Sequence, residues 1–251
     1  MSIFSSPSMV SEGLVLCLDA ANRDSYPGTG TVWTDLSGNG NNGTLTNGPT
    51  FSSGNGGGIV FDGTNDYMNT GNIDLSGTNV ISVDFWCNIL TYVETINSAK
   101  IIFELSTNFN GITTGFIAAY ADDSNPVFGG LFPITISVKG NSVTQSGYNI
   151  SYWPKTLVND LKWHHWCCIF DKSQSVSETF LYIDSIYRTG TLTAYNANNT
   201  NNFGSLPFYI GGRGATINSN IQISNLKLYN RALTAGEILQ NYKATKGRFG
   251  L

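Results

Sequence analysis

Ile221-Gln-Ile-Ser-Asn-Leu-Lys-Leu-Tyr-Asn-Arg-Ala-Leu-Thr-Ala-Gly-Glu-Ile-Leu-Gln-Asn-Tyr242 changes period half way along. Ile221, Ile223, Leu226, Leu228 and Tyr229 alternate with Gln222, Ser224, Asn225 and Lys227 at a period close to two, the pattern of a strand, with one break at Asn225–Leu226. Thr234 then opens a T-x-x-E sequence with Glu237, a capping box in which the Thr hydroxyl accepts from the amide three residues on and the Glu reaches back to the cap amide. Ile238, Leu239 and Tyr242 follow at helical spacing, and the helix should end before Gly247. A helix this short is marginal alone, so its apolar face must rest on strands already built.

The composition agrees with an all-β chain. Of 251 residues, 28 are Gly and as many are Asn, while charged residues make up only 12%. Many strands joined by many turns, with a surface made polar by amides and hydroxyls, account for this. The net charge is −4 and the 13 Lys and Arg are scattered, which argues against a nucleic-acid partner or an anionic membrane surface. No window is long enough to span a bilayer, so membrane insertion is not expected. Cys17, Cys87, Cys167 and Cys168 lie in apolar runs without metal-ligand spacing and read as small core hydrophobes rather than disulfides. Met1 to Val10 has neither a basic start nor an apolar run, so the expectation is synthesis in a reducing cytoplasm without secretion.

Ser11 to Ala20 reads as an early strand apolar on both faces, with Leu14, Leu16 and Leu18 alternating against Val15 and Cys17. Trp33-Thr-Asp-Leu-Ser-Gly-Asn-Gly-Asn-Asn-Gly43 is turn-rich, its Asn-Gly steps demanding positive φ. Ile59 to Phe61, a turn at Asp62-Gly63 and a returning run from Tyr67 to Asn69 read as a hairpin. Ile81, Val83, Phe85 and Cys87 line one face of another strand. Leu161 to Asp171 and Thr179 to Asp184 form a long strand pair around the polar loop from Lys172 to Glu178, and Phe208 to Gly212 is a late strand. No repeat or linker interrupts the chain. The expectation is a short N-terminal arm over residues 1–12 and one domain over 13–251.

These segments, taken together, resemble the laminin-G-like jelly rolls of the concanavalin A-like lectin/glucanase superfamily. The similarity rests on L-x-L-D-A at Leu16 to Ala20, W-x-D-L-S-G from Trp33, F-D-G-x-x-D-Y from Phe61 to Tyr67, the W-H … F-D and L-Y-x-D strands, and L-Y-N-R-A-L from Leu228. It spans about Gly13 to Tyr242, and this order of motifs resembles bacteriophage and other viral structural proteins. Ser185 departs from the family's usual Gly after L-Y-x-D, which puts that turn type in question. The resemblance implies two antiparallel sheets packed face to face with one short C-terminal helix. It further implies a non-enzymatic structural or adhesive protein of a virion, a capsid decoration or a tail- or fibre-associated module. The partners would be viral capsid or tail proteins, cell-surface glycans as candidates, and a second copy of the chain as a candidate oligomer. The alternatives are a free carbohydrate-binding lectin and a glycosidase.

A glycosidase on this fold needs two close carboxylates, one to protonate the leaving oxygen and one to attack. The five Glu are Glu12, Glu94, Glu104, Glu178 and Glu237, and none has a carboxylate partner two positions away on a strand. His164 and His165 must point to opposite faces of their strand, with no nucleophile motif beside them. Asp62, Asn65 and Asp66 are candidate Ca²⁺ ligands, although such side chains also hold turns by bonding their own backbone. For a glycan, Tyr152 and Trp153 offer stacking faces, and Tyr195, Asn196 and Asn198 lie in an amide-rich loop.

Overall fold

The computed structural model describes residues 8–91, 100–107, 115–120, 134–139, 148–174, 177–195, 200–214 and 217–251. In chain order the strands are β1 (Leu14–Asp19), β2 (Val32–Trp33), β3 (Gly43–Thr46), β4 (Thr50–Ser52), β5 (Gly58–Asp62), β6 (Tyr67–Asp74), β7 (Val80–Ile89), β8 (Lys100–Leu105) and β9 (Gly115–Tyr120). There follow β10 (Ile134–Lys139), β11 (Tyr148–Trp153), β12 (Trp163–Asp171), β13 (Thr179–Ile183), β14 (Ile186–Arg188), β15 (Thr191–Tyr195), β16 (Ser205–Ile210) and β17 (Asn220–Tyr229). The helix α1 (Ala235–Thr245) and a 3-10 turn, Lys246–Phe249, close the chain.

Among the described residues, these strands form an eight-stranded sheet in the order β14-β13-β12-β7-β17-β5-β4, with β1 also paired to β17, and a nine-stranded sheet in the order β15-β11-β10-β9-β8-β16-β6-β3-β2. Every pairing is antiparallel, and the two apolar inner faces enclose one core, as in other β-sandwiches. Phe85 and Phe170 of the first sheet meet Phe103 and Phe116 of the second, with ring centroids 5.4 Å apart for Phe85–Phe103 and 4.8 Å for Phe116–Phe170.

β17 is the organising strand. It pairs β7 along one side, while its other side takes β5 at Asn220 to Ile223 and β1 at Asn225 to Tyr229. The change of partner falls at the register shift between Ile223 and Leu226, which is the break in the alternation. Ile221, Ile223, Leu226 and Leu228 face the core and are fully buried, while Lys227 and Tyr229 share the opposite face. The free edge of β1 is covered by the Trp33-to-Gly43 segment: Asp35 Oδ1 accepts from the Cys17 amide at 2.8 Å, and Asn41 Nδ2 donates to the Val15 carbonyl at 2.9 Å.

α1 seals the outer face of the eight-stranded sheet. Its capping box is formed as its sequence requires, with Glu237 N donating to Thr234 Oγ1 and Thr234 N to Glu237 Oε2. Its Ile238 packs in one cluster with Cys167, Ile169, Tyr229 and Leu233. Residues 8–12 are strapped to the helix and to β17: Val10 N donates to Asn241 Oδ1 of the helix at 2.9 Å and Tyr229 Oη of β17 to Val10 O at 3.0 Å. All four cysteines are buried and free, and burial raises each thiol above its ordinary range.

One element differs from its reading in the sequence. The Ile59-to-Asn69 segment is not a hairpin. β5 belongs to the eight-stranded sheet and β6 to the nine-stranded one, so the Asp62–Asp66 turn arches over the edge of the core. Local turn chemistry is the same for a hairpin and an arch, and only the pairing partners, β17 and β16, separate them.

Candidate functional site

The outer face of the eight-stranded sheet carries charges where it is covered. Asp84, His165 and Lys227 project from neighbouring strands β7, β12 and β17 and are essentially inaccessible. Asp84 Oδ1 accepts from Lys227 Nζ at 3.1 Å, and Asp84 Oδ2 lies 3.0 Å from His165 Nε2. Burial pushes the Asp84 carboxyl up, and the adjacent His165 and Lys227 outweigh it, holding it at about 2. Trp86, next on that face, donates from Nε1 to Thr245 Oγ1 at 2.7 Å, which fixes the end of α1 to the sheet.

Beyond α1 the 3-10 turn forms one wall of a cavity of about 570 Å³. Phe249 lies between two indoles, stacked on Trp86 at 4.0 Å and tilted against Trp163 at 5.0 Å. The turn is held by Arg248, whose guanidinium makes two hydrogen bonds to Asp19. The floor is made by Asn88 of β7 and Gln222 of β17, which face each other across the strands. Gly58 on β5 lets the Gln222 amide lie down there, since a Cβ at that position would come 2.8 Å from Gln222 Nε2. Asn88 Oδ1 is buried and accepts no hydrogen bond among the described residues. Such an acceptor costs about 1–3 kcal/mol unless a partner reaches it.

The opposite wall is Asp160, Leu161, Lys162, His164 and Asp184. His164 is held at both ring nitrogens, Nδ1 2.8 Å from Asp184 Oδ2 and Nε2 3.0 Å from Asp160 Oδ1. Burial pulls the His164 pKa down, and the two carboxylates more than reverse this, so it stands above the ordinary histidine value. The Asp184-Ser185 turn joins β13 to β14 with φ of 54° and 65°, both left-handed, as a two-residue hairpin of the primed type requires. Ser185 therefore keeps the geometry that glycine would take more cheaply, and Asp184 accepts from the His165 amide at 3.0 Å.

The residues singled out from the sequence stand elsewhere. Trp153 ends β11 but is 1% exposed, with its Nε1 donating to the Arg188 carbonyl at 2.8 Å, so it is a core residue rather than a stacking face. The reason is alternation: Trp153 pairs with Ile134, whose side chain is in the core. Tyr152 is half-buried on the other face, and Tyr195 ends β15, while Asn196 and Asn198 lie outside the described residues. Asp62 Oδ1 accepts from Thr64 N at 2.7 Å and Asp66 Oδ2 from Asp62 N at 3.1 Å, so these carboxylates hold the arch, while Asn65 is exposed. Burial pushes the Asp66 carboxyl up. Among the described residues, no group of three or more His, Cys, Asp or Glu is placed to hold a metal ion. Glu104 is fully buried with Arg213 Nη2 donating to its Oε2 at 2.8 Å, an engaged carboxylate.

The profile of the concanavalin A-like lectin/glucanases superfamily, in its laminin-G form, matches residues 62–239. The chain belongs to that superfamily. No curated protein matches the sequence. Solved structures of similar fold include the binding domain of botulinum neurotoxin DC in complex with SialylT, at TM-score 0.66 and 12% identity, covering 94% of this chain and 52% of that one. The Trypanosoma rangeli sialidase in complex with sialic acid is similar at TM-score 0.60 and 17% identity, covering 94% of this chain and 33% of that one. Botulinum neurotoxin type C, whose cell entry is dependent upon interaction with two ganglioside molecules, aligns at TM-score 0.65 and 10% identity over 94% of this chain and 52% of that one. The chain spans about half the length of the neurotoxin chains and a third of the sialidase. At these identities the likeness is one of fold. Among the described residues no helix is long and apolar enough to cross a membrane.

Proposed function

We propose that this superfamily member is a non-enzymatic adhesive domain that binds glycans in the cavity between the 3-10 turn and the Asp160-to-His164 wall. The observation that carries the reading is the pairing of an aromatic wall, Trp163 and Phe249, with a floor of two side-chain amides, Asn88 and Gln222. Sugars present an apolar ring face for stacking and hydroxyls that pair with such amides. The neurotoxin and sialidase complexes are consistent with glycan recognition by proteins of this fold, though fold alone assigns no ligand.

Asp160 does not fit the acid of a glycosidase. A glycosidase acid needs a raised pKa, yet hydrogen bonds to His164 and Lys162 outweigh burial and lower that of Asp160. Calcium is not part of the proposal. The test is a glycan array with the purified domain and its Trp163→Ala variant, alongside a hydrolysis panel. Binding lost in the variant without hydrolysis supports the reading; turnover of a glycan, or binding unchanged by the variant, contradicts it.

The setting we propose is the surface of a virion, as a capsid decoration or tail-associated module made in the host cytoplasm and docked on capsid or tail proteins. The order of motifs and the amide-rich surface support it. Cryo-electron microscopy of particles produced with this protein tests it: sandwich density in symmetric copies on shell or tail is expected, and particles that lack the protein would defeat it.

A further inference from the structure

We infer that the cavity selects neutral glycans and discriminates against sialylated and uronate-bearing ones. This deepens the glycan reading of the cavity and rests on it. A sugar carboxylate is recognised by a guanidinium, an ammonium or convergent backbone amides, and is repelled by a neighbouring carboxylate.

The cations of this cavity already face its own carboxylates. Asp160 and Asp184 both face it from one wall. The histidine between them spends both ring nitrogens on those carboxylates, so neither nitrogen is free to donate to an acidic sugar. Lys162 is the one ammonium lining the cavity among the described residues; its side chain is 76% exposed and its Nζ lies 3.5 Å from Asp160 Oδ2. No described arginine lines the cavity. Arg248, on the turn that builds the wall, is committed to Asp19.

The other lining groups favour an uncharged ring. The floor is made of side-chain amides, Asn88 and Gln222, which are neutral and pair with hydroxyls in either sense without supplying the positive charge a carboxylate needs. Phe249, Trp163, Leu161 and Leu251 supply apolar contact for the ring face. A cavity of about 570 Å³ falls in the range of small-ligand sites, so the recognised unit is a short glycan segment.

Matched glycan pairs test this: a galactose-terminated oligosaccharide against its sialylated form, and a glucose oligomer against a glucuronate-bearing one, by array and then titration at fixed ionic strength. The expected result is that the neutral members bind and the acidic members bind about tenfold or more weakly. Asp160→Lys, and more mildly Asp160→Asn, should narrow that gap by raising the affinity of the acidic members, with thermal melts confirming that each variant is folded. Acidic glycans bound as tightly as neutral ones, with that binding abolished by Trp163→Ala, would overturn the selectivity and leave the glycan site standing. Absence of binding to both classes, or binding of both that survives Trp163→Ala, would overturn the glycan reading itself and the inference with it.

Discussion

Arg248 grips Asp19 with two parallel hydrogen bonds, Nη1 to Oδ1 at 2.8 Å and Nη2 to Oδ2 at 2.9 Å. The pair joins the last turn of the chain to the end of its first strand, 229 residues away in sequence. It also fixes the neighbouring Phe249 against Trp86 and Trp163. Arg248→Met should cost about 1–3 kcal/mol in a urea melt, the range for hydrogen bonds to charged groups and for leaving a carboxylate without them. It should also weaken glycan binding several-fold by loosening the wall. Unchanged affinity in a destabilised variant would show that the turn is structural only.

The buried Asp84 carries a second prediction. Asp84→Leu leaves the Lys227 ammonium buried without its carboxylate, which should cost about 3–5 kcal/mol. Adding Lys227→Met should recover part of that loss, because it removes the unpaired ammonium while His165 still lacks the Asp84 carboxylate. Equilibrium denaturation of the single and double variants measures this. A double variant no more stable than the single would contradict it.

The His164 bridge makes stability depend on pH. Its folded pKa is raised above the ordinary value of about 6.5, so its contribution is complete below about 6.5 and is lost as pH rises through the raised value. Asp160 has a lowered folded pKa, so its contribution is present above its ordinary value of about 3.9 and is lost as pH falls through the lowered one. Melting temperature should therefore decline on the alkaline side of about 6.5, and His164→Gln should flatten that decline. Thermal melts from pH 5 to 9 on both proteins decide it.

The capping box predicts a smaller effect. Thr234→Ala should cost about 1 kcal/mol, since the Glu237 amide loses its acceptor while the Arg231–Glu237 ion pair at 2.6 Å remains. Chemical denaturation should show a lower midpoint with an unchanged slope.

Much of the fold was legible in the sequence because its signals are local. The bulge in β17 interrupts the alternation where the strand changes partner, and the cap of α1 stands in four consecutive residues, Thr234 to Glu237. The Asp62–Asp66 arch was not legible, because its turn residues say nothing of which sheet receives β6. Trp153 misled for a similar reason: its place at a strand end was clear, but its side was set by pairing with Ile134. The cavity as a whole could not have been assembled from sequence. Asn88, Trp163, Gln222 and Phe249 come from three strands and the final turn, and only the pairing of β12, β7 and β17 brings them together. The one available hint was a Trp next to His164 at the start of a strand, where a side chain can reach past the sheet.

The most direct test of the glycan site is an NMR titration of the indole N–H signals with the tightest neutral glycan from the array. The chain has five tryptophans, and Trp33, Trp86, Trp153 and Trp166 are buried, which leaves Trp163 as the partly exposed one. The predicted result is a saturable shift of the Trp163 signal, accompanied by the Asn88 side-chain amide. A bound glycan that leaves Trp163 unmoved, with its shifts on Tyr152 or on the Tyr67–Tyr209 face of the other sheet, would contradict the account.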